Sequence, residues 1–476
     1  MPAHSWCRQI FPLRRQGFVA APSPVQIEGR LNFCMTLRRA PRRGKDGLNF
    51  HKSAALLDWI VSCFDVLGRF WKSRERQDDK PTRLPRMIQH FASLFEIIAV
   101  LGTLSSIGYY LICLWSAVNF LQEQKAAGGA ARFTAVLPAS ILKPLKGTDP
   151  GMYESLRSHC LQDYPEYEII FGVSDANDPA VEVVERLRSE FPQQAIKLVV
   201  CGQSLGSNTK VSNLAQMRIE SRYEYLVVND SDIRVGPDYV RRVVSPLVDP
   251  RNGLVTCLYR GVASPTLGSR LESLGISTDF CAGVLTARSL EGGIRFGLGS
   301  TLAFRAADLR AIGGFESLVD YLSDDYEIGK RISTLGREVK LSEVVVETFL
   351  PAYTLRGFLD HQLRWARCIR DSRRWGYTGL LLTFGLPWAL LALIAAKGAA
   401  WACLLLGVAA GIRLAMAIVI GRDVLQDPEV VRWVWLLPLR DLVALLVWIA
   451  SFAGHTVVWR GDRFHLKHGR LSRLAS

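Results

Sequence analysis

The chain has 476 residues, 49% of them hydrophobic, with a positive mean hydropathy of +0.14 and a formal net charge of +14. That length holds one large domain with extra segments, and that hydropathy calls for stretches that enter a membrane. The ten cysteines (Cys7, Cys34, Cys63, Cys113, Cys160, Cys201, Cys257, Cys281, Cys368 and Cys403) are scattered without a CxxC pair, which excludes a disulfide frame or zinc site and reads as free thiols facing a reducing compartment.

Residues 1–91 form a basic extension that carries roughly ten of the net positive charges. Its "LRRAPRRGKDG" lacks the interleaved aromatics and the module of a nucleic-acid binder, so it reads as a solvated or membrane-surface tail and no nucleic-acid partner is expected. Within 92–121, the apolar run 94–121 is long enough to span a bilayer as a helix. Residues 131–370 have mixed polarity. Here 133–145, 167–173, 196–201, 223–230 and 254–259 read as strands, and 180–191 and 210–221 as helices between them. This alternation predicts a parallel-rich sheet with helices on both faces, with ligands at the carboxyl ends of the strands. The amphipathic stretch 267–293 reads equally as a core-packing helix pair or as an interfacial segment lining a lipid entry.

Residues 376–460 are expected to hold three membrane segments. Lys397 and Gly398 break 379–420 into two, and 442–459 is the third, with Trp459 and Arg460 as its interfacial anchor. A basic tail, 461–476, follows. The arginine-rich stretch 364–379 places the middle domain in the cytoplasm by the positive-inside rule, and hence the chain in the cytoplasmic (inner) membrane. The basic amino-terminal extension conflicts with a single span before that domain. A native start at Met87 removes the conflict, and the expectation is that residues 1–86 are not part of the native protein. Three further spans also leave the basic tail on the opposite side, unless one segment, such as 430–439, is re-entrant.

Acidic clusters sit at predicted strand ends. Asp175 and Asp178 follow the strand 167–173, and taken alone they read as an Asn-Asp-Pro turn rather than as a site. Val227 and Val228 run directly into Asp230 and Asp232. Two carboxylates two residues apart suit a hard divalent cation, which neutralises a diphosphate. "YLSDDYEIGKRI" (321–332) sets Asp324 and Asp325 at the start of a helix whose apolar face is Ile328 and Ile332, with Ser323 and Asp324 expected to cap it. Arg364, Arg367 and Arg370 then recur at helical spacing around Trp365, either as a basic interfacial helix or as a cover for a phosphorylated leaving group.

Singly these clusters are weak, but their order is specific. The series D, DxD, DD and RW across one α/β domain between apolar segments resembles membrane-bound inverting glycosyltransferases of the GT-A fold. "SILKPLKGTDPGMYESLRSHCLQDYPEYEIIFGVSDANDPA", "GSNTKVSNL", "FGLGSTLAFRAADLRAIGGF" and "VVWRGDRFHLKHG" are similar to blocks of the ceramide glucosyltransferase family, including its hopanoid-associated bacterial variant, over about residues 94–470. The resemblance implies an α/β GT-A (nucleotide-diphospho-sugar transferase) domain inserted between transmembrane α-helices. It implies transfer of one sugar from a UDP-sugar to the hydroxyl of a membrane lipid, with a divalent cation (Mg2+ or Mn2+) as cofactor. Asp325 takes the position of the base, with Asp324 beside it. Asp232, with Asp230, takes that of the metal site, and Asp175 that of the uracil contact. Lys143, Lys146 and Lys210 stand as candidate donors to the diphosphate. Arg364 and Trp365 match the last motif, which in the family begins with Gln or Arg; here that place holds His361, followed by Gln362. The alternatives are a hopanoid-directed N-acetylglucosaminyltransferase, a processive polysaccharide synthase, and a transporter or receptor whose α/β domain only binds ligand.

Overall fold

The structure is a computed structural model that describes residues 83–126, 135–459 and 462–474. Most of the basic extension, with Cys7, Cys34 and Cys63, lies outside these residues, as does the proposed anchor Arg460. Helix α1 (Arg83–Ala126) carries the first apolar run. The α/β domain then opens with β1 (Ala139–Pro144), α2 (Met152–Cys160), β2 (Tyr167–Val173), α3 (Ala180–Glu190), β3 (Ala195–Val200), α4 (Thr209–Ile219) and β4 (Tyr225–Val228). It continues through β5 (Ile233–Arg234), α5 (Tyr239–Val244), β6 (Asn252–Val262), α6 (Leu267–Gly275), α7 (Cys281–Leu290), β7 (Leu302–Arg305) and α8 (Ala306–Ala311). It closes with α9 (Asp324–Thr334) and β8 (Glu338–Phe349). A π-helical turn, Ile276–Phe280, joins α6 to α7.

One eight-stranded sheet runs in the order β3-β2-β1-β4-β7-β6-β8-β5. Strands β3, β2, β1 and β4 are parallel, with Ala139 opposite both Tyr167 and Tyr225. Every residue of β1 and β2 is buried, as helices on both faces of a parallel sheet require. The expected alternation therefore holds for this half. Beyond β4 the sheet turns mixed: β7 is antiparallel to β4 and β6, while β6 and β8 run parallel. The parallel register brings Lys143–Leu145, Ser174–Asp175 and Asn229–Asp232 to one edge of the sheet.

After the sheet come α10 (Leu355–Ser372), α11 (Arg374–Gly379), α12 (Gly385–Ala395), α13 (Ala400–Ile418), α14 (Pro428–Trp433) and α15 (Leu437–Ser451). Lys397 and Gly398 adopt positive φ (52° and 76°) and turn α12 back into α13, the break expected from the sequence. Gln89–Ala126, Ala400–Val424 and Pro428–Ser451 are long and apolar enough to cross a membrane, and the pair Arg374–Thr383 and Gly385–Ala395 is bent by 49°.

The chain's end departs from expectation. The last helix stops at Ser451, and Thr456–Trp459 is not membrane helix but strand β9, paired with β10 (Asp462–Lys467), which pairs with β11 (Arg470–Arg473). Along 456–459 burial, not polarity, alternates: Val457 is buried and its neighbours Thr456 and Val458 are exposed, the period of two of a strand. This small sheet packs Val457, Phe464, Leu466 and Leu471 around Leu322. Leu322 N–H donates to Gly469 O (3.0 Å), and Leu471 N–H to Asp320 O (2.7 Å). The tail is thus bound to the α/β domain, on the chain just before Asp324.

Candidate active site

The end of β4 delivers the DxD stretch. Asp232 is pinned by its neighbours: its Oδ2 accepts from Thr348 Oγ1 at 2.5 Å, and its carbonyl accepts from Phe349 N–H at 3.2 Å. Burial, with the adjacent Asp230 and Asp149 charges, pushes its carboxyl up to about 6. Asp149, which binds Ser231 Oγ, lines the same cavity. It does not directly follow a strand and stands alone in the sequence, so no acidic cluster marks it.

Helix α9 delivers the second pair. Its Ile328 and Ile332 are fully buried, as the apolar rhythm predicts. Its Gly329 lies so close to the loop before β7 that a Cβ there would meet Gly297 N at 2.2 Å. Only a residue without a side chain allows that approach, and it sets the helix start against the DxD loop. Ser323 does not cap the helix, because its hydroxyl lies 2.7 Å from Cys368 Sγ. Asp324 is buried and faces Lys210 rather than the helix amides, while Asp325 Oδ1 accepts from Tyr326 N–H at 2.8 Å. The expected capping by Ser323 and Asp324 is therefore corrected: the pair serves the site.

Lys210 ties the two clusters together. Its Nζ is 2.8 Å from Asp230 Oδ1 and 3.1 Å from Asp324 Oδ2. Burial alone would lower its pKa, but Asp230, Asp324 and Asp325 hold it well above the usual lysine value. Asp325 is pushed up to about 6, first by burial and then by the Asp324 charge, with Lys210 pulling the other way. A Cβ placed on Gly299 would lie 3.3 Å from Asp230 Oδ2 and 3.3 Å from Asp325 Oδ2. The two carboxylates therefore flank one small space, separated by no more than twice that distance. Gly299 was quoted within "FGLGST" but not singled out.

The other candidate residues sort by position. Lys146, Arg364, Trp365 and His361 line the cavity. Lys143 does not: it is fully buried behind the site, donating to Asp230 O at 3.0 Å. Burial pulls its ammonium down to about 7 against the pull of Asp232 and Asp230. It supports the DxD loop from below, which corrects its expected contact with a ligand. Asp175 stands exposed beyond β2, its Oδ1 taking Asn177 N–H at 2.9 Å in the turn expected there, and it lies outside the cavity lining. Trp365 packs edge-on to Phe280, and His361 stacks on Tyr353. The irregular start of the last motif has a counterpart in space. Gln362 Nε2 donates to Glu272 Oε2 at 2.7 Å, and His361 Nδ1 lies 3.4 Å from Glu272 Oε1. Glu272 is 1% exposed, a carboxylate that sequence reasoning missed because it sits alone among the apolar residues of α6.

Among the described residues no three His, Cys, Asp or Glu side chains converge as a self-sufficient cation site. Asp230 and Asp232 nevertheless offer hard oxygens, and the raised Asp232 carboxyl marks a place where added positive charge is favourable. Such a pair fits a cation that completes its shell with water and diphosphate oxygens. The whole forms one cavity of about 1660 Å³, which extends from the carboxylates to Tyr109, Tyr110 and Met416 on the apolar helices.

The model of glycosyl transferase family 21 matches residues 98–472. The chain is 24% identical over 341 residues to ceramide glucosyltransferase 3 of Caenorhabditis elegans, covering 69% of this chain and 73% of that protein. It is 31% identical over 160 residues to the ceramide glucosyltransferase of Komagataella phaffii, covering 32% and 31%. Among solved structures, the mannosyltransferase PcManGT from Pyrobaculum calidifontis, in complex with GDP-Man and Mn2+, is similar at a TM-score of 0.46 and 19% identity, covering 75% of this chain and 98% of that one.

Proposed function

Because the chain belongs to glycosyl transferase family 21 and is a membrane glycosyltransferase of the GT-A type, we propose that it moves one glucose from UDP-glucose to the primary hydroxyl of ceramide. The observation that carries this reading is the pairing of Asp325 with Asp230 around the space at Gly299, in a cavity that continues onto apolar helices. One end suits a nucleotide sugar and the other a lipid.

In this reading Asp325 is the base. An acceptor hydroxyl must lose its proton as it attacks, and a carboxylate already raised to about 6 is closer to the working pH than an ordinary one. Asp324 and Lys210 hold Asp325 and Asp230 in register. Asp230 and Asp232 would hold a divalent cation, Mg2+ or Mn2+, which would supply positive charge to the leaving diphosphate. Arg364 and Lys146 face the same leaving group, and Trp365 and His361 wall the acceptor side. Asp175, which lies outside the cavity lining, keeps only the sequence position of the family's uracil contact. Attack from the face opposite the leaving group inverts the anomeric carbon and yields a β-linked product.

The same reading includes a membrane arrangement. Helix α1 and a hairpin of α13 with the bent pair Arg374–Thr383 and Gly385–Ala395 cross the bilayer. The segment 428–451 lies along the membrane surface: Val430 packs on Leu271, Leu274 and Phe358 at its start, and Ser451 O accepts from Arg370 at its end. Two crossings after the α/β domain return the tail to the domain's own side, which is the cytoplasm by the positive-inside rule. Membranes containing the protein, given labelled UDP-glucose or UDP-N-acetylglucosamine with ceramide or bacteriohopanetetrol, test the reaction. A single labelled glucose on ceramide is the expected product. Transfer only to the hopanoid, or a labelled polymer, defeats the reading.

A further inference from the structure

Away from the carboxylates, the cavity wall holds a second set of charges inside apolar segments. Arg413 of α13 and Asp441 of α15 form a buried two-point pair, with Nε to Oδ2 at 3.1 Å and Nη2 to Oδ1 at 2.7 Å. Arg413 Nη2 also reaches Asp279 Oδ1 at 2.5 Å and bonds to Thr278. Its hydrogen-bonding capacity is spent within the protein.

Arg440, one residue before Asp441, is different. It is 6% exposed. Its Nη2 makes one hydrogen bond, to Gln362 Oε1 at 3.2 Å, and stands 3.5 Å from Asp279 Oδ2. Its Nε and Nη1 are buried without a hydrogen-bond partner. A guanidinium carries five N–H donors and cannot lose its charge, so leaving two donor atoms dry is costly unless something else takes them. The side chain lies flat on Gly275: a Cβ there would meet Nη2 at 2.4 Å and Nε at 2.5 Å. Gly275, Asp279, Gln362 and Arg440 all line the cavity that holds Asp325. A charged group in an apolar segment that faces a cavity is where a ligand's polar group is met.

We propose that Arg440 is a specificity-determining residue for the acceptor: its Nη1–H donates to the amide carbonyl oxygen of the lipid, and so holds the neighbouring hydroxyl toward Asp325. This rests on the ceramide reading above. The headgroup of an N-acyl amino alcohol offers one strong neutral acceptor, the amide oxygen, close to its primary hydroxyl. A charged Nη1–H donor matches such an oxygen, whereas a sterol or polyol hydroxyl is a weaker acceptor. Glu272 and Gln362 fix the guanidinium from behind, since Gln362 bonds Glu272 through Nε2 and Arg440 through Oε1.

The test uses the full chain in lipid nanodiscs with two acceptors: ceramide, and a neutral 2-alkyl-1,3-diol analogue with methylenes in place of the amide. Arg440→Met is expected to lower kcat/KM for ceramide by roughly 10- to 100-fold, the range for losing a charged hydrogen bond. The KM for UDP-glucose is expected to stay unchanged, as is the already poor rate on the analogue. Gly275→Ala, which pushes the guanidinium aside while leaving the arginine in place, is expected to give the same selective loss and keeps the test valid where Arg440→Met does not fold. Arg440→Lys keeps the charge without the planar fork and recovers only part of the activity. If both variants lose equally on ceramide and the analogue, or the wild type uses both acceptors equally well, Arg440 is merely structural and the assignment falls while the ceramide reading stands. If the wild type glucosylates no amide-bearing lipid, the ceramide reading itself fails and takes the Arg440 role with it.

Discussion

On its sheet side the cavity carries Asp230, Asp232, Asp324, Asp325 and Lys210, grouped in three short stretches that end strands or begin helices. On its helix side it carries Glu272, Asp279, Gln362, Arg440 and Asp441, spread over helices and turns from α6 to α15. The sheet side crowds like charges together, and two of its carboxyls are raised to about 6. The helix side mostly balances its charges pair by pair, with the Arg413–Asp441 contact as its centre. Crowded like charge is poised for chemistry, because it becomes comfortable only when a cation or a proton arrives. Paired charge holds helices in place and serves recognition only where, as at Arg440, a donor is left over.

The largest effect expected of this difference is at Asp325. Asp325→Asn removes the proposed base and is expected to reduce turnover by about 10²–10⁴-fold while UDP binding persists. The same change is expected to stabilise the protein. A carboxyl at about 6 in the folded chain and 3.8 when unfolded costs roughly 3 kcal/mol to carry ionised. That penalty is absent below the unfolded value, grows as pH rises toward 6 and is complete above it. Melting in detergent should therefore show the variant's gain at pH 7.5 and a smaller gain at pH 5. Equal turnover in wild type and variant would break the contrast at its base.

Arg413→Met should do the opposite. It strands Asp441 in a buried setting and leaves Asp279 with Arg440 alone, and breaking one side of a buried pair costs about 3–5 kcal/mol. A large fall in melting temperature is expected, with turnover per folded molecule much less affected. A variant that is stable but inactive would move Arg413 to the chemical side of the comparison.

The pH profile sharpens the sheet side alone. Asp325 and Asp232 both titrate near 6, so kcat/KM is expected to fall below that pH, more steeply than for a single proton. In Asp325→Glu, should it retain measurable turnover, the acid limb should shift, whereas in Arg440→Lys it should stay in place.

This contrast also explains what could be read in the chain. The DxD and DD stretches were legible because each function lies within a few residues and at a strand end or a helix start, where local pattern and site coincide. The parallel half of the sheet was legible for the same reason: β2 falls on the residues its β-branched run marks out. Glu272, Asp279 and Arg440 were not legible, since no local motif marks them and the meaning of each lies in contacts far along the chain. The tail sheet was missed because Thr456–Trp459 follows an apolar helix without a strong break. Lys143 was misread because a lysine at a strand end looks exposed, and only packing shows it buried.

The smallest effect separates a cap from a site within one type of residue. Thr354 and Ser323 both stand at helix N-cap positions. Thr354 Oγ1 accepts from Gly357 N–H at 3.1 Å and so satisfies one of the amides that α10 leaves open. Ser323 Oγ turns instead to Cys368 Sγ, and the first turn of α9 takes its side-chain oxygen from Asp325. Thr354→Ala is expected to cost about 1 kcal/mol, the usual value of a cap. Ser323→Ala should cost no more than about 0.5 kcal/mol, because no helix amide loses its partner. Asp325→Asn keeps an oxygen for Tyr326 N–H, so it should not expose that amide either. Denaturant titration of the variants, read as midpoint shifts at constant slope, makes the comparison. A Ser323 loss as large as that of Thr354 would return the opening of α9 to ordinary capping, and would leave the orientation of Asp325 dependent on its neighbour rather than on the close packing of Gly329 against Gly297.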